Sequence, residues 1–165
     1  MLTVQRRDFI GCARLRVSIH MVARKDCVFC KIIRNEVKSY RVCENELSLA
    51  ILDINPFSEG HCLVIPKRHV PWWHDLTEEE SRNLFSLARA TAAKIKKAYK
   101  PDFVAMYARG RRIPHTHIFL VPTFKDDPLD RFFNALEGFQ ESPDKMVELK
   151  KPKSLENAAA KLRSL

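Results

Sequence analysis

Hydrophobic and polar positions change period several times along the chain. Tyr40–Cys43, Leu47–Ile54 and His61–Pro66 are short apolar runs. Glu44-Asn45-Glu46 splits the first two, and Asp53-Ile54-Asn55-Pro56 ends the second. Runs of this length bounded by turn formers predict three strands. The period then lengthens: Leu84, Leu87, Ala88, Thr91, Ile95 and Ala98 recur at helical spacing. Thr77-Glu78-Glu79-Glu80 opens this stretch as a capping box, and Pro101 stops it, so the longest helix runs to about Tyr99. Phe103–Tyr107 predicts a fourth strand and Pro114–Pro122 a fifth. Arg109-Gly110-Arg111-Arg112 joins them as a tight basic connection, so the two form a hairpin. Upstream, Cys27 to about Ile33 reads as a short helical turn. Downstream, Leu129, Phe132, Phe133 and Leu136 make an amphipathic helix ended by Gly138. A Lys- and Pro-rich linker separates it from a last helix, Ser154 to Leu165, with Ser154 as N-cap. The order is α+β: an antiparallel five-stranded sheet, one long helix and a C-terminal helical extension.

Charge and cysteine usage narrow the partners. The 165 residues carry a net charge of +9. Nucleic acid and an anionic small molecule such as a nucleotide both suit a basic chain. No aromatic-rich RNA-binding signature and no helix-turn-helix pattern occurs, which disfavours nucleic acid. No run of about 18 apolar residues exists, so no transmembrane helix and no membrane partner is expected. Five cysteines without a disulfide framework fit a reducing compartment, and a cytoplasmic location is expected. Residues 1–21 carry Arg6, Arg7, Arg14 and Arg16 against Asp8 alone. They read as a disordered tail, an over-extended start ahead of Met21, or a mitochondrial presequence. The expected organisation is therefore an extension at 1–21, one domain at 22–125 and a helical tail at 126–165.

The chemistry concentrates in Pro114-His115-Thr116-His117-Ile118-Phe119. On a strand, side chains alternate faces, so His115, His117 and Phe119 share one. Imidazole titrates near neutrality and can bind a metal, act as a base or act as a nucleophile. Far upstream lies Cys27-Val28-Phe29-Cys30, a C-x-x-C that alone is redox, metal-binding or accidental. Two thiolates with two imidazoles are an ordinary tetrahedral zinc set.

Four motifs together resemble one family. Cys-Val-Phe-Cys-Lys-Ile-Ile at 27–33, Leu-Asp-Ile-Asn-Pro at 52–56, Gly-His-Cys-Leu-Val-Ile-Pro-Lys-Arg-His at 60–69 and Pro-His-Thr-His at 114–117 look like the histidine-triad (HIT) superfamily, in that family's order. The resemblance covers about Lys25 to Thr123. It implies a half-open antiparallel sheet with two helices, commonly paired into a homodimer. It implies a nucleotide site and attack at an α-phosphate, with His117 in the nucleophile's place and Asp53 in that of the ribose-binding acid. His61 falls where members often have a histidine near the nucleotide. Cys27, Cys30, His69 and His115 match the zinc ligands of some members and of the related galactose-1-phosphate uridylyltransferases. Cys43 and Cys62 match no ligand position and are expected in the core. The Trp72–Trp73 pair is expected as core or dimer contact, and His74 on the surface or in packing.

Two departures matter. The third triad position is Phe119, which can neither donate nor accept a hydrogen bond. The loop before the triad is shortened to Arg109–Arg112. Arginine holds phosphate bidentately, so the arginines of this loop, Arg111 foremost, are candidates for the missing phosphate contacts, and a solvated basic turn is the alternative. The expectation is a nucleotide-binding hydrolase or transferase acting through a nucleotidyl-histidine, of nucleoside phosphoramidase or dinucleoside polyphosphate hydrolase type. The alternative is a nucleotide-binding module that lost turnover with its third histidine.

Overall fold

The computed structural model describes residues 26–141 and 144–164. The expectations for residues 1–21 lie outside them. The described chain divides into two compact units, one ending at Thr123 and one beginning at Phe124.

In the first unit, a short helix α1 (Val28–Ile33) precedes strands β1 (Arg41–Glu44), β2 (Ser48–Leu52) and β3 (Cys62–Pro66). The long helix α2 (Glu78–Tyr99) then leads to β4 (Phe103–Tyr107) and β5 (Ile118–Thr123). All neighbouring strands pair antiparallel, in the order β1-β2-β3-β5-β4. The α+β class and five-stranded sheet match the pattern of the sequence. The Thr77 capping box is present, with Thr77 Oγ1 accepting from the Glu80 N–H and Glu80 reaching back to the Thr77 N–H.

The sheet is covered on both faces, which explains why β3 is buried at every position. Cys62, Val64, Ile118 and Leu120 pack with Ala50 against Leu84, Leu87, Ala88 and Ile95 of α2. On the other face Leu49, Ile51, Leu63 and Ile65 meet Phe29 and Ile32 of α1, with Phe119 at the margin. Arg41 holds α1 down by donating from Nη2 to the Ile32 carbonyl at 2.8 Å, which also accepts from the Asn35 N–H at the helix end. Cys43 and Cys62 are core residues, as expected. Burial and the neighbouring Cys43 push the Cys62 thiol up to about 11, so it stays protonated at neutral pH.

Gly60 sits at φ +84°, just ahead of β3. This left-handed backbone favours glycine, and a Cβ there, 2.3 Å from Tyr99 Cε2, would displace the Tyr99 ring.

Three boundaries differ from expectation. β5 begins at Ile118, not at Pro114. The His115 N–H bonds to Ile113 O and the Thr116 N–H to Val70 O, so the histidine segment pairs beyond the end of β3 instead of within its ladder. In the second unit α3 (Pro128–Glu141) continues through Gly138, whose surroundings are open. A helical glycine costs only about 1 kcal/mol relative to alanine. The linker holds a further helix α4 (Asp144–Lys150), and α5 (Pro152–Arg163) is capped at Lys151 with proline in its first turn, not at Ser154. Among the described residues no helix is long and apolar enough to cross a membrane.

Candidate functional site

The segment that leaves β3 and the segment that enters β5 run side by side. They bring His69 and His115 together, with ring centroids 5.0 Å apart. α1 delivers its two cysteines to the same point. Cys27 Sγ lies 3.4 Å from His115 Nδ1, and Cys30 Sγ lies 3.4 Å from His69 Nδ1 and 3.7 Å from His115 Nδ1. The four donor atoms all fall within 4.8 Å of one another. A tetrahedral ion with Zn–S near 2.3 Å and Zn–N near 2.05 Å needs S···N edges of about 3.6 Å. The measured separations bracket that value, so the residues fit zinc.

The outer nitrogen of His115 supports the fit. Its Nε2 lies 2.9 Å from the Pro66 carbonyl. A carbonyl only accepts, so Nε2 carries the hydrogen and Nδ1 turns its lone pair to the thiols. Such a tie is what orients a metal-binding imidazole. Burial, partly offset by that bond, pushes His115 down to about 4, so its ring is neutral at physiological pH, as a ligand must be.

His117 has the opposite tautomer. Its Nδ1–H donates to the His115 carbonyl at 2.7 Å. This leaves Nε2 as the basic nitrogen, and no described residue bonds to it. Burial lowers the pKa of His117, opposed by the His115 bond and the charge of Asp53, so the neutral ring is favoured. A neutral imidazole with a free lone pair is a nucleophile. Phe29 of α1 packs against both rings, at 5.6 Å from His115 and 5.2 Å from His117.

Phe119 lies beyond His117, 4.9 Å away, and stacks on Tyr107 at 4.6 Å with 7° between the planes. His61 stands on its other side at 5.6 Å. His61 Nδ1 accepts from the Phe57 N–H at 3.3 Å, which puts its hydrogen on Nε2. That nitrogen is buried, without a hydrogen-bond partner among the described residues, and 3.8 Å from Asp53 Oδ2, too far to bond. Burial lowers the His61 pKa, against the raising effect of Asp53. Asp53 Oδ1 accepts from the Asn55 N–H at 2.8 Å and so caps its turn, while Oδ2 makes no hydrogen bond among the described residues. Asp53 also acts on Tyr107, whose phenol is raised first by burial and then by that charge.

A cavity of about 220 Å³ opens at His117, one of its lining residues. Thr116, Arg109 and Arg111 line it, together with Trp72, Trp73 and His74. Arg111 therefore joins His117 at one cavity, whereas Asp53 and His61 do not line it. The tryptophan pair is not core: Trp72 is 42% and Trp73 55% exposed. Sequence reasoning missed Trp72 and Trp73 as site residues, whereas Arg109 belongs to the basic loop whose arginines it offered for phosphate. The visible signal was two adjacent tryptophans after Pro71, close behind His69.

The HIT domain matches residues 34–126, more than half of the chain. The chain belongs to the HIT domain family. Cys27 and Cys30 precede the matched residues, so half of the Cys/His cluster lies outside the HIT segment. Adenosine 5'-monophosphoramidase hnt1 of Schizosaccharomyces pombe is 36% identical over 101 residues, 58% of this chain and 73% of that protein. Adenylylsulfatase HINT3 of Arabidopsis thaliana is 37% identical over 111 residues, 64% of this chain and 56% of that protein. The crystal structure of a Zn-bound histidine triad family protein from Mycobacterium smegmatis superposes with a TM-score of 0.58 at 29% identity, covering 84% of this chain and 96% of that one. The HIT fold is thus shared along nearly the whole length of that neighbour.

Proposed function

We propose that this HIT protein hydrolyses nucleotide conjugates at the α-phosphate, or transfers the nucleotidyl group, through a covalent bond to His117. The carrying observation is the Nδ1–H bond from His117 to the His115 carbonyl, which reserves Nε2 for phosphorus. The phosphoramidase and adenylylsulfatase names of its relatives support an adenylyl substrate.

Nε2 attacks the α-phosphorus, and the bond to the leaving group breaks with its electron pair. Water then attacks phosphorus, the N–P bond returns its pair to the ring, and a nucleoside monophosphate leaves. Asp53 is the proposed partner of the ribose hydroxyls. Its Oδ2 is free to accept, and a carboxylate binds a diol through charge-assisted hydrogen bonds. His61 holds the wall beside it. Arg111 is the proposed contact to phosphate oxygens. Cys27, Cys30, His69 and His115 would hold zinc, which supplies structural cross-linking of α1 to the sheet. The proposed location is cytoplasmic.

The test is acid-labile label. Protein quenched during turnover of adenylyl-labelled substrate carries label at His117, and His117→Ala carries none and loses turnover. Steady turnover in His117→Ala would exclude the covalent route.

Phe119 favours a second reading. It fills the third triad position with a ring stacked on Tyr107 and offers no proton. A binding module predicts nucleotide affinity without turnover by the wild-type protein, and the same assay decides between them.

A further inference from the structure

We propose that the cavity beside His117 is a leaving-group subsite for an anion joined to a flat ring, of which an aryl phosphate is the simplest form. This rests on the reading of His117 as nucleophile. A substrate joined at phosphorus has two arms. Asp53 and Tyr107 do not line the cavity and suit the ribose arm. The other arm enters the cavity, where Trp72, Trp73, Arg109 and Arg111 wait.

The lining is one-sided in charge. No acidic residue faces the cavity. Neither the Arg109 nor the Arg111 side chain has a hydrogen bond or ion pair to another described residue, and the sequence between them holds no acid to neutralise them. The aromatic wall is built against this loop: a Cβ at Gly110 would lie 3.7 Å from Trp72 Cζ3 and 3.5 Å from the Pro71 carbonyl. Two adjacent half-exposed indoles beside guanidinium groups that no other described residue pairs suit a ring by stacking and an anion by charge.

Phe119 points the same way. An amine can leave phosphorus only if it takes up a proton, and Phe119 has none to give. A phosphate leaves as an anion: the P–O bond breaks with its pair on the bridging oxygen, and guanidinium donors compensate the charge. Arg109 and Arg111 thereby make a general acid unnecessary for this class of substrate, a mixed anhydride of a nucleoside monophosphate with an aryl or heteroaryl phosphate.

The chain has two tryptophans, and both line the cavity, so tryptophan fluorescence reports on this subsite directly. Titration with phenyl phosphate changes the emission saturably. Phenol and inorganic phosphate, each holding half of the ligand, bind at least about tenfold more weakly. The Arg109→Ala/Arg111→Ala protein loses about the same factor. Circular dichroism checks folding, and Arg111→Gln alone is read in the same way should the double variant not fold. In turnover, wild type prefers the anhydride of AMP with phenyl phosphate to adenosine 5'-phosphoramidate, and Trp72→Ala/Trp73→Ala reduces that ratio of kcat/KM. No saturable fluorescence change, or equal affinity for phosphate and phenyl phosphate, overturns the subsite. A ratio unchanged by the tryptophan and arginine substitutions does so too. Failure to turn over either substrate overturns the role of His117 instead, while the titration still decides the subsite.

Discussion

Replacing Cys30 by serine tests the metal cluster and its reach into the active site. Cys30 Sγ is a buried atom 3.4 Å and 3.7 Å from two imidazole nitrogens. Serine keeps the size of the residue but offers a hydroxyl that stays protonated at neutral pH. Structural zinc sites with four ligands bind with about 10–16 kcal/mol, or roughly 2.5–4 kcal/mol for each ligand. Loss of one ligand therefore weakens zinc binding by about 10²–10³-fold. The consequence falls on α1. It is six residues long, too short to persist by itself. Burial of Phe29 and Ile32 gives about 2 kcal/mol each, while ordering six residues costs roughly 6–12 kcal/mol of backbone entropy. Without the ion, α1 detaches and Phe29 leaves the flank of His117. The α2 side of the sheet contains no α1 residue, so the domain itself remains folded. Metal analysis of the purified protein is expected to give one zinc per wild-type chain and almost none in Cys30→Ser. Hydrogen exchange is expected to speed up over residues 28–33 while β3 and α2 stay protected. Wild-type protein without stoichiometric metal, or equal exchange over α1 in both proteins, would refute this reasoning.

Restoring the third imidazole with Phe119→His supplies an acid and is expected to raise phosphoramidate turnover by about 10²-fold, measured as kcat/KM; an unchanged rate would show that leaving-group protonation is not limiting. Glu80 receives two donors from Arg68, Nε at 2.5 Å and Nη2 at 2.7 Å, and the pair holds its carboxyl below the usual range. Stability from this pair is complete above the unfolded carboxyl pKa near 4.3 and is lost as pH falls through the lower folded value. Because Arg68 is one-third exposed, Glu80→Gln is expected to cost only about 1 kcal/mol at neutral pH, a Tm drop of roughly 3–4 °C, and the gap should close in melts run well below pH 4. β4 is an outer strand whose Phe103 and Met106 are 46% and 56% exposed, and an open edge of this kind invites a second copy. Sedimentation is expected to give a dimer that Met106→Lys weakens; a monomer at all concentrations in wild type would reject that pairing.

Local pattern carried much of the fold. Thr77 and Glu80 lie three residues apart and form their capping box by themselves, and Lys100-Pro101 ends the same helix, so α2 was legible to within a residue. Gly138 and Ser154 misled because the same local logic has two outcomes: an exposed glycine is tolerated inside a helix, and Pro152 starts the last helix earlier than Ser154 could. The four Cys and His residues that the structure gathers were legible as a combination of residue types in a familiar order, but not as a distance.

What the chain alone determined is residue chemistry and period: which strands are apolar, where the long helix begins, and that two thiols and two imidazoles exist to be gathered. Folding decided the relations between segments far apart in sequence. Cys30 and His115 are 85 positions apart and meet only because β3 pairs with β5 and α1 caps that face. The two neighbouring histidines take opposite tautomers because Pro66 offers one carbonyl and His115 another. Trp72 and Arg111 share a cavity for the same reason, since long-range packing and not nearby sequence sets what a side chain faces.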